Sequence, residues 1–218
     1  MEKYFKFHPV HHSMQLYKDF IPTNSISYTE DLLKLHQIEI KIKSERKTRH
    51  GDFRVLRNGN CLITVNSNLN KYRFLITLIH EITHLYVYKL FKNSVKPHGH
   101  EWKNQFRILI APILNPDVFP KSLLPLLANY FKNPKASTGA DVKLTYALKQ
   151  FDENTGKSFI FDLNEGNLFN FKGKTYKKGA TRRTRIECVE MHSKRTYLFN
   201  QNAEVNFEKS SMTPIVGP

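Results

Sequence analysis

The spacing of apolar residues changes twice along the chain. In IEIKIK, residues 38–43, Ile38, Ile40 and Ile42 alternate with Glu39, Lys41 and Lys43. Alternation of period two predicts a half-buried strand. Two further apolar runs flank RNGN in GDFRVLRNGNCLITVN, and Asn-Gly between such runs is a strong hairpin signal. A small antiparallel sheet is therefore expected over residues 38–66. Ahead of it, Thr29 followed by Glu30 and Asp31 predicts a helix around 28–37.

From about residue 69 to 92 the period becomes helical. Leu75, Leu78, Ile79, Ile82, Leu85 and Tyr86 recur at intervals of three and four, with no Gly or Pro among them. Pro97 and Gly99 mark a loop, and HEWKNQFRILIAPIL restarts as a helix. The stretch YFKNPKASTGAD has the composition of a linker. Beyond about 157 the pattern turns to short strands: SFIFDL, LFNFKG, TRIECVEM and RTYLFN. The expected organisation is a main domain over 1–125, a linker over 126–157, a small all-β module over 158–208 and a flexible tail over 209–218.

Charge alters this picture. The 218 residues hold 34 Lys and Arg against 19 Asp and Glu, a net charge of +15. Residues 41–58 carry seven cations against Glu45 and Asp52, and residues 171–196 carry nine against Glu187 and Glu190. A chain this basic suggests a nucleic-acid partner. In the second stretch, Lys172, Lys174, Lys177, Lys178, Arg182, Arg183 and Arg185 are candidate phosphate contacts. Phe171, Tyr176, Tyr197 and Phe199 lie among or beside them, and such a mixture suits single-stranded or distorted DNA. The competing reading makes these aromatics the module's core, and it is preferred for them. Two cysteines, Cys61 and Cys188, form no disulfide framework and no cysteine zinc ribbon, which fits a reducing cytoplasm, with association with the nucleoid open. The N-terminus shows no apolar signal segment. The most apolar tract, around residues 106–127, is broken by prolines and cannot span a bilayer.

Candidate chemistry lies in the helical stretch. HEITH places His80 and His84 four residues apart, on one face and one turn from each other. Two imidazoles so placed can meet one Zn2+ ion, and Glu81 is positioned to act as general base on water. A catalytic zinc keeps three protein ligands. His98 and His100, in PHGHEW, both follow a loop that can fold back over the helix, and spacing alone does not choose between them. His8, His11 and His12 read as a solvated cluster, His36, His50 and His192 as structural or surface residues, and Trp102 as core.

HEITH, thirteen residues and then HGHEW resembles the SprT-like metallopeptidases, relatives of the protease Spartan. Their pattern is HExxH followed by His-Gly-x-x-(Phe or Trp). The resemblance covers about residues 14–125 and includes KTRHGDFR and ITVNSNL. It implies an α+β, zincin-like metallopeptidase domain, a small sheet plus the HExxH helix, followed here by the small C-terminal all-β module. It implies one zinc ion on His80, His84 and His98, with Glu81 as the catalytic base. The expected function is hydrolysis of peptide bonds, in proteins bound to or crosslinked with DNA. Many members end in a zinc ribbon. This chain has only Cys188 in that region, so carry-over of the DNA-linked role is weaker. The strand around Leu62–Val65, just before the HExxH helix, is expected as a sheet edge where an extended substrate adds as another strand. The alternative function is a non-enzymatic nucleic-acid-binding protein with a structural zinc, for which Glu81 would be superfluous.

Overall fold

A computed structural model describes residues 17–207 apart from 35, 37, 47, 137–140 and 153–155. His8, His11, His12, Lys47 and the expected tail lie outside the described residues. The chain divides into two compact units, Met1–Asp152 and Glu153–Pro218.

The first unit is mixed α and β. Helix α1 spans Ile26–Lys34. Strands β1 (Ile38–Lys43), β2 (Gly51–Val55) and β3 (Cys61–Asn66) form a sheet in the order β1-β3-β2. The β2–β3 hairpin turns at Gly59, whose φ of 81° suits glycine. The sheet is not wholly antiparallel, because β1 runs parallel to β3. Alternation in the sequence marks which face of a strand is buried, not which strand lies beside it. It follows that β3, expected as the edge that receives a substrate, is the central strand with both sides paired. The edges are β1 and β2.

Helix α2 (Lys71–Phe91) runs through the middle of this unit. Buried residues occur on most of its sides, from Phe74 and Leu75 through Ile82 to Val87. A helix apolar nearly all round belongs inside a fold. Asn70 caps it, accepting hydrogen bonds from the Tyr72 and Arg73 amides at 3.1 and 3.0 Å. The same side chain donates to the Leu148 carbonyl at 2.8 Å and to Asp152 at 2.5 Å. One residue thereby starts the helix and ties its first turn to the end of the unit.

Helix α3 (His100–Ile110) follows a loop. The region expected as a linker instead contains helices α4 (Leu124–Lys132) and α5 (Val142–Lys149). Leu127, Tyr130, Phe131, Leu144 and Leu148 are buried in the core of the first unit. Pro and Ser between the two helices produced the linker signal, while the apolar residues on either side do the packing.

The second unit is a six-stranded antiparallel sheet in the order β4-β9-β5-β6-β7-β8. The strands are β4 (Lys157–Phe159), β5 (Leu168–Phe171), β6 (Lys174–Arg182), β7 (Arg185–Glu190), β8 (Thr196–Asn200) and β9 (Glu204–Asn206). Its core contains Ile160, Phe169, Tyr176, Ile186, Cys188, Phe199 and Val205. Strand β6 was not expected, because a lysine fills one of its inward positions. Tyr176 and Lys178 both point inward, and Lys178 is only 6% exposed. Its ammonium donates to the Phe161 and Leu163 carbonyls. No described helix is long and apolar enough to cross a membrane.

Candidate metal centre and cleft

His80 and His84 project from α2 one turn apart, and His98 reaches them from the loop before α3. Their Nε2 atoms form a triangle with sides of 3.0, 3.1 and 3.2 Å. Tetrahedral zinc with bonds of 2.0–2.1 Å sets its nitrogen ligands about 3.3 Å apart, so the triangle fits one ion. The donor chemistry agrees. Burial pushes the His80 imidazolium down to about 2 and, with His98 nearby, that of His84 down to about 4; burial lowers His98 as well. All three rings are then neutral near pH 7 and offer lone pairs. This group can hold a metal ion.

The bend that delivers His98 is not made by Gly99. His98 itself is left-handed, with φ of 57°, while Gly99 has an ordinary φ of −71°. Glycine is needed at 99 for space, because a Cβ there would lie 2.9 Å from the Lys96 carbonyl oxygen. His100 begins α3, is exposed and sits 3.1 Å from Asn104. The geometry therefore selects His98 over His100.

Trp102 forms the floor. It is 1% exposed, and its ring centroid lies 4.5, 5.3 and 4.7 Å from those of His80, His84 and His98. Phe106 packs behind it at 4.8 Å. The indole thus fixes the orientation of three rings at once.

Glu81 is 6% exposed and faces strand β2. Its carboxylate accepts a hydrogen bond from the Phe53 amide. Burial, reinforced by the negative charge of Asp52, pushes its pKa up to about 8. Gly51 makes room for it: a Cβ there would fall 2.5 Å from Glu81 Oε1 and 2.7 Å from Thr77 Cγ2. Sequence reasoning passed over Gly51 and Phe53, although a glycine within an otherwise side-chain-bearing strand is a sign of close backbone approach.

A cleft of about 530 Å³ opens over the histidines and Glu81, walled by residues 48–53. His50, read as structural or surface, lines it. The preceding loop is braced from inside. Arg46 donates to Asn66 at 2.7 Å and to Thr64 at 2.9 Å, and Asn66 donates back to the Arg49 carbonyl at 3.0 Å. Asp52 pairs with both Arg49 and Arg54. Much of the basic charge expected on this segment therefore holds the cleft wall together.

Residues 11–115 match the model of the SprT-like family. The match is confined to that stretch. The SprT-like stretch contains the sheet, α2, α3, all three histidines and Glu81, whereas α4, α5 and the second unit lie outside it. No curated protein and no solved structure matches the chain.

The second-unit residues expected to contact nucleic acid do not form one patch. Lys172 and Lys174 flank the β5–β6 turn, while Arg182, Arg183 and Arg185 surround the β6–β7 turn at the other end of the sheet. Eight residue steps along β6 separate these ends, about 26 Å. Lys177 is exposed between them. Lys178 is turned into the core and is no phosphate contact. Tyr176 and Phe199 are core residues, while Tyr197 is 38% exposed.

Proposed function

We propose that the protein is a zinc-dependent, zincin-like metallopeptidase that hydrolyses peptide bonds in protein substrates. The observation that carries this reading is the convergence of three neutral imidazoles beside a buried carboxylate in an open cleft. His80, His84 and His98 would hold the ion. Zinc bound there supplies Lewis-acid polarisation of a carbonyl and makes water easier to deprotonate.

The chain's own residues supply the rest. Glu81 takes a proton from water on its carboxylate and returns it to the leaving amine. The Phe53 amide holds that carboxylate, and the bare backbone at Gly51 leaves it room. The free side of β2 borders the cleft through Gly51 and Phe53, and an extended peptide fits along it as an added strand. Trp102 keeps the three rings aligned from below.

The test is cleavage of an unfolded protein by wild type, Glu81→Gln and His98→Ala, with bound zinc measured in each. Wild type cleaves with one zinc per chain. Glu81→Gln keeps zinc and loses roughly 10²-fold or more in rate. His98→Ala loses both. Cleavage that persists in Glu81→Gln overturns the assignment.

A further inference from the structure

Beyond His84 the cleft continues into a second pocket of about 260 Å³. Phe53, His84 and Pro97 border both, so this pocket adjoins the candidate metal centre directly. Phe53 forms the divide. Its ring lies nearly parallel to that of His84 at 6.5 Å and stands 6.0 Å from that of Tyr88. Pockets for whole small molecules enclose roughly 300–1,000 Å³, so this one suits a single side chain.

The walls are largely apolar, with Phe53, Val87, Tyr88, Val95 and Trp102 among them. The cations that line the pocket, Lys92 and Lys96, are both exposed. The Lys92 ammonium lies over the Tyr88 ring, 4.9 Å from its centroid. Among the described residues no Asp or Glu lines the pocket. The larger cleft differs, because there Asp52 already answers Arg49. Trp102 adds an unused donor. Its Nε1 is buried and has no hydrogen-bond partner, which is rare for a buried polar atom. Apolar walls, two cations and an unpaired N–H suit a side chain with an apolar stem and a negative, acceptor-rich head. A wholly apolar side chain would fill the walls and bring no acceptor.

We propose that this pocket is the specificity subsite of the cleft, where Lys92 and Lys96 receive the carboxylate of a glutamate or aspartate flanking the scissile bond. The glutamate stem packs along Phe53 and Val95. The substrate class is then protein chains with acidic segments, which a chain of net charge +15 also attracts from a distance. This inference rests on the peptidase reading for the place of the scissile bond, and binding tests the subsite separately.

The experiment compares kcat/KM for C-terminally amidated peptides that differ only in Glu, Gln or Phe at each position flanking the cut. At one of these positions Glu exceeds Gln by about 5- to 10-fold at low salt, the worth of two exposed ion pairs. The preference shrinks as salt rises. In Lys92→Gln, Lys96→Gln the Glu-to-Gln ratio falls below about 2. In Lys89→Gln, Lys121→Gln, which removes two cations that line neither pocket, the ratio is kept. A wild-type ratio near 1, a ratio that survives loss of Lys92 and Lys96, or a preference for Phe over Glu overturns the proposal. So does a preference confined to peptides that end in a free carboxylate at that position. Absence of cleavage overturns the peptidase reading instead. Anisotropy of the same labelled peptides on zinc-loaded Glu81→Gln then decides the subsite: tighter binding of the Glu peptide, lost with Lys92 and Lys96, supports it, and equal affinities overturn it.

Discussion

Gly51 matters for the side chain it lacks. The carboxylate of Glu81 occupies the space a Cβ would take, with Thr77 closing the other side. Gly51→Ala must displace one of them at a cost of about 1–3 kcal/mol. The expected outcome is a roughly 10- to 100-fold loss of kcat with zinc content and KM little changed, since Glu81 would be misaligned rather than removed. The loss of stability should shrink in a Glu81→Ala background, where two of the three close contacts are gone. Equal destabilisation in both backgrounds would show that Gly51 does not act through Glu81. Residue types revealed the histidines and the carboxylate in the sequence, because their chemistry depends on identity and spacing. The contributions of Gly51, Phe53 and Trp102 depend on what approaches them in space, and identity alone is silent on that.

At the scale of elements, helices were legible wherever apolar spacing was long and regular. The helix expected over 69–92 is α2, and the Asn-Gly hairpin is β2–β3. The helix expected over 28–37 forms earlier, over Ile26–Lys34. Strand order was not legible, and it decides which edge meets the cleft. The Leu56 amide donates to the Asn60 carbonyl and the His50 carbonyl accepts from the Asn66 amide, so even-numbered residues of β2 face the hairpin. The amides of residues 51, 53 and 55 therefore face away from β3; that of Phe53 is given to Glu81, which leaves those of Gly51 and Val55 for a substrate strand. Val55→Pro removes one outward amide without touching the ladder, a change edge strands tolerate. It should leave zinc binding and folding intact while lowering kcat/KM for long peptides about 5- to 10-fold, the worth of about one hydrogen bond. Unchanged kinetics on long peptides would rule out substrate pairing along β2.

For the whole molecule, the cluster of His80, Glu81, His84 and His98 couples pH to stability in metal-free protein. His80 and His84 titrate at about 2 and about 4 when folded, below their ordinary 6.5. Their contribution is complete above pH 6.5 and is lost as pH falls through those values. Glu81 runs the other way. Raised from 4.5 to about 8, it contributes fully below pH 4.5, and that contribution is lost as pH rises towards 8. Above about pH 7.5 these histidines are neutral in both states while Glu81 still changes, so chelated protein should lose stability, by roughly 0.5–1 kcal/mol, from about pH 7.5 to about 8.5. Denaturant unfolding in chelator at the two pH values measures it. Glu81→Gln should flatten the dependence, and a slope that survives in that variant would place its origin elsewhere. The clasp at Asn70 has a different kind of consequence. It joins the first turn of α2, within the SprT-like stretch, to Leu148 and Asp152, far beyond that stretch's end at residue 115. Phe131 against Phe106 and Phe151 against Tyr72 span the same divide. The length of chain that matches the family model is thus shorter than the length that folds, and a fragment trimmed to that boundary would keep His80, Glu81, His84 and His98 while leaving their supporting core uncovered.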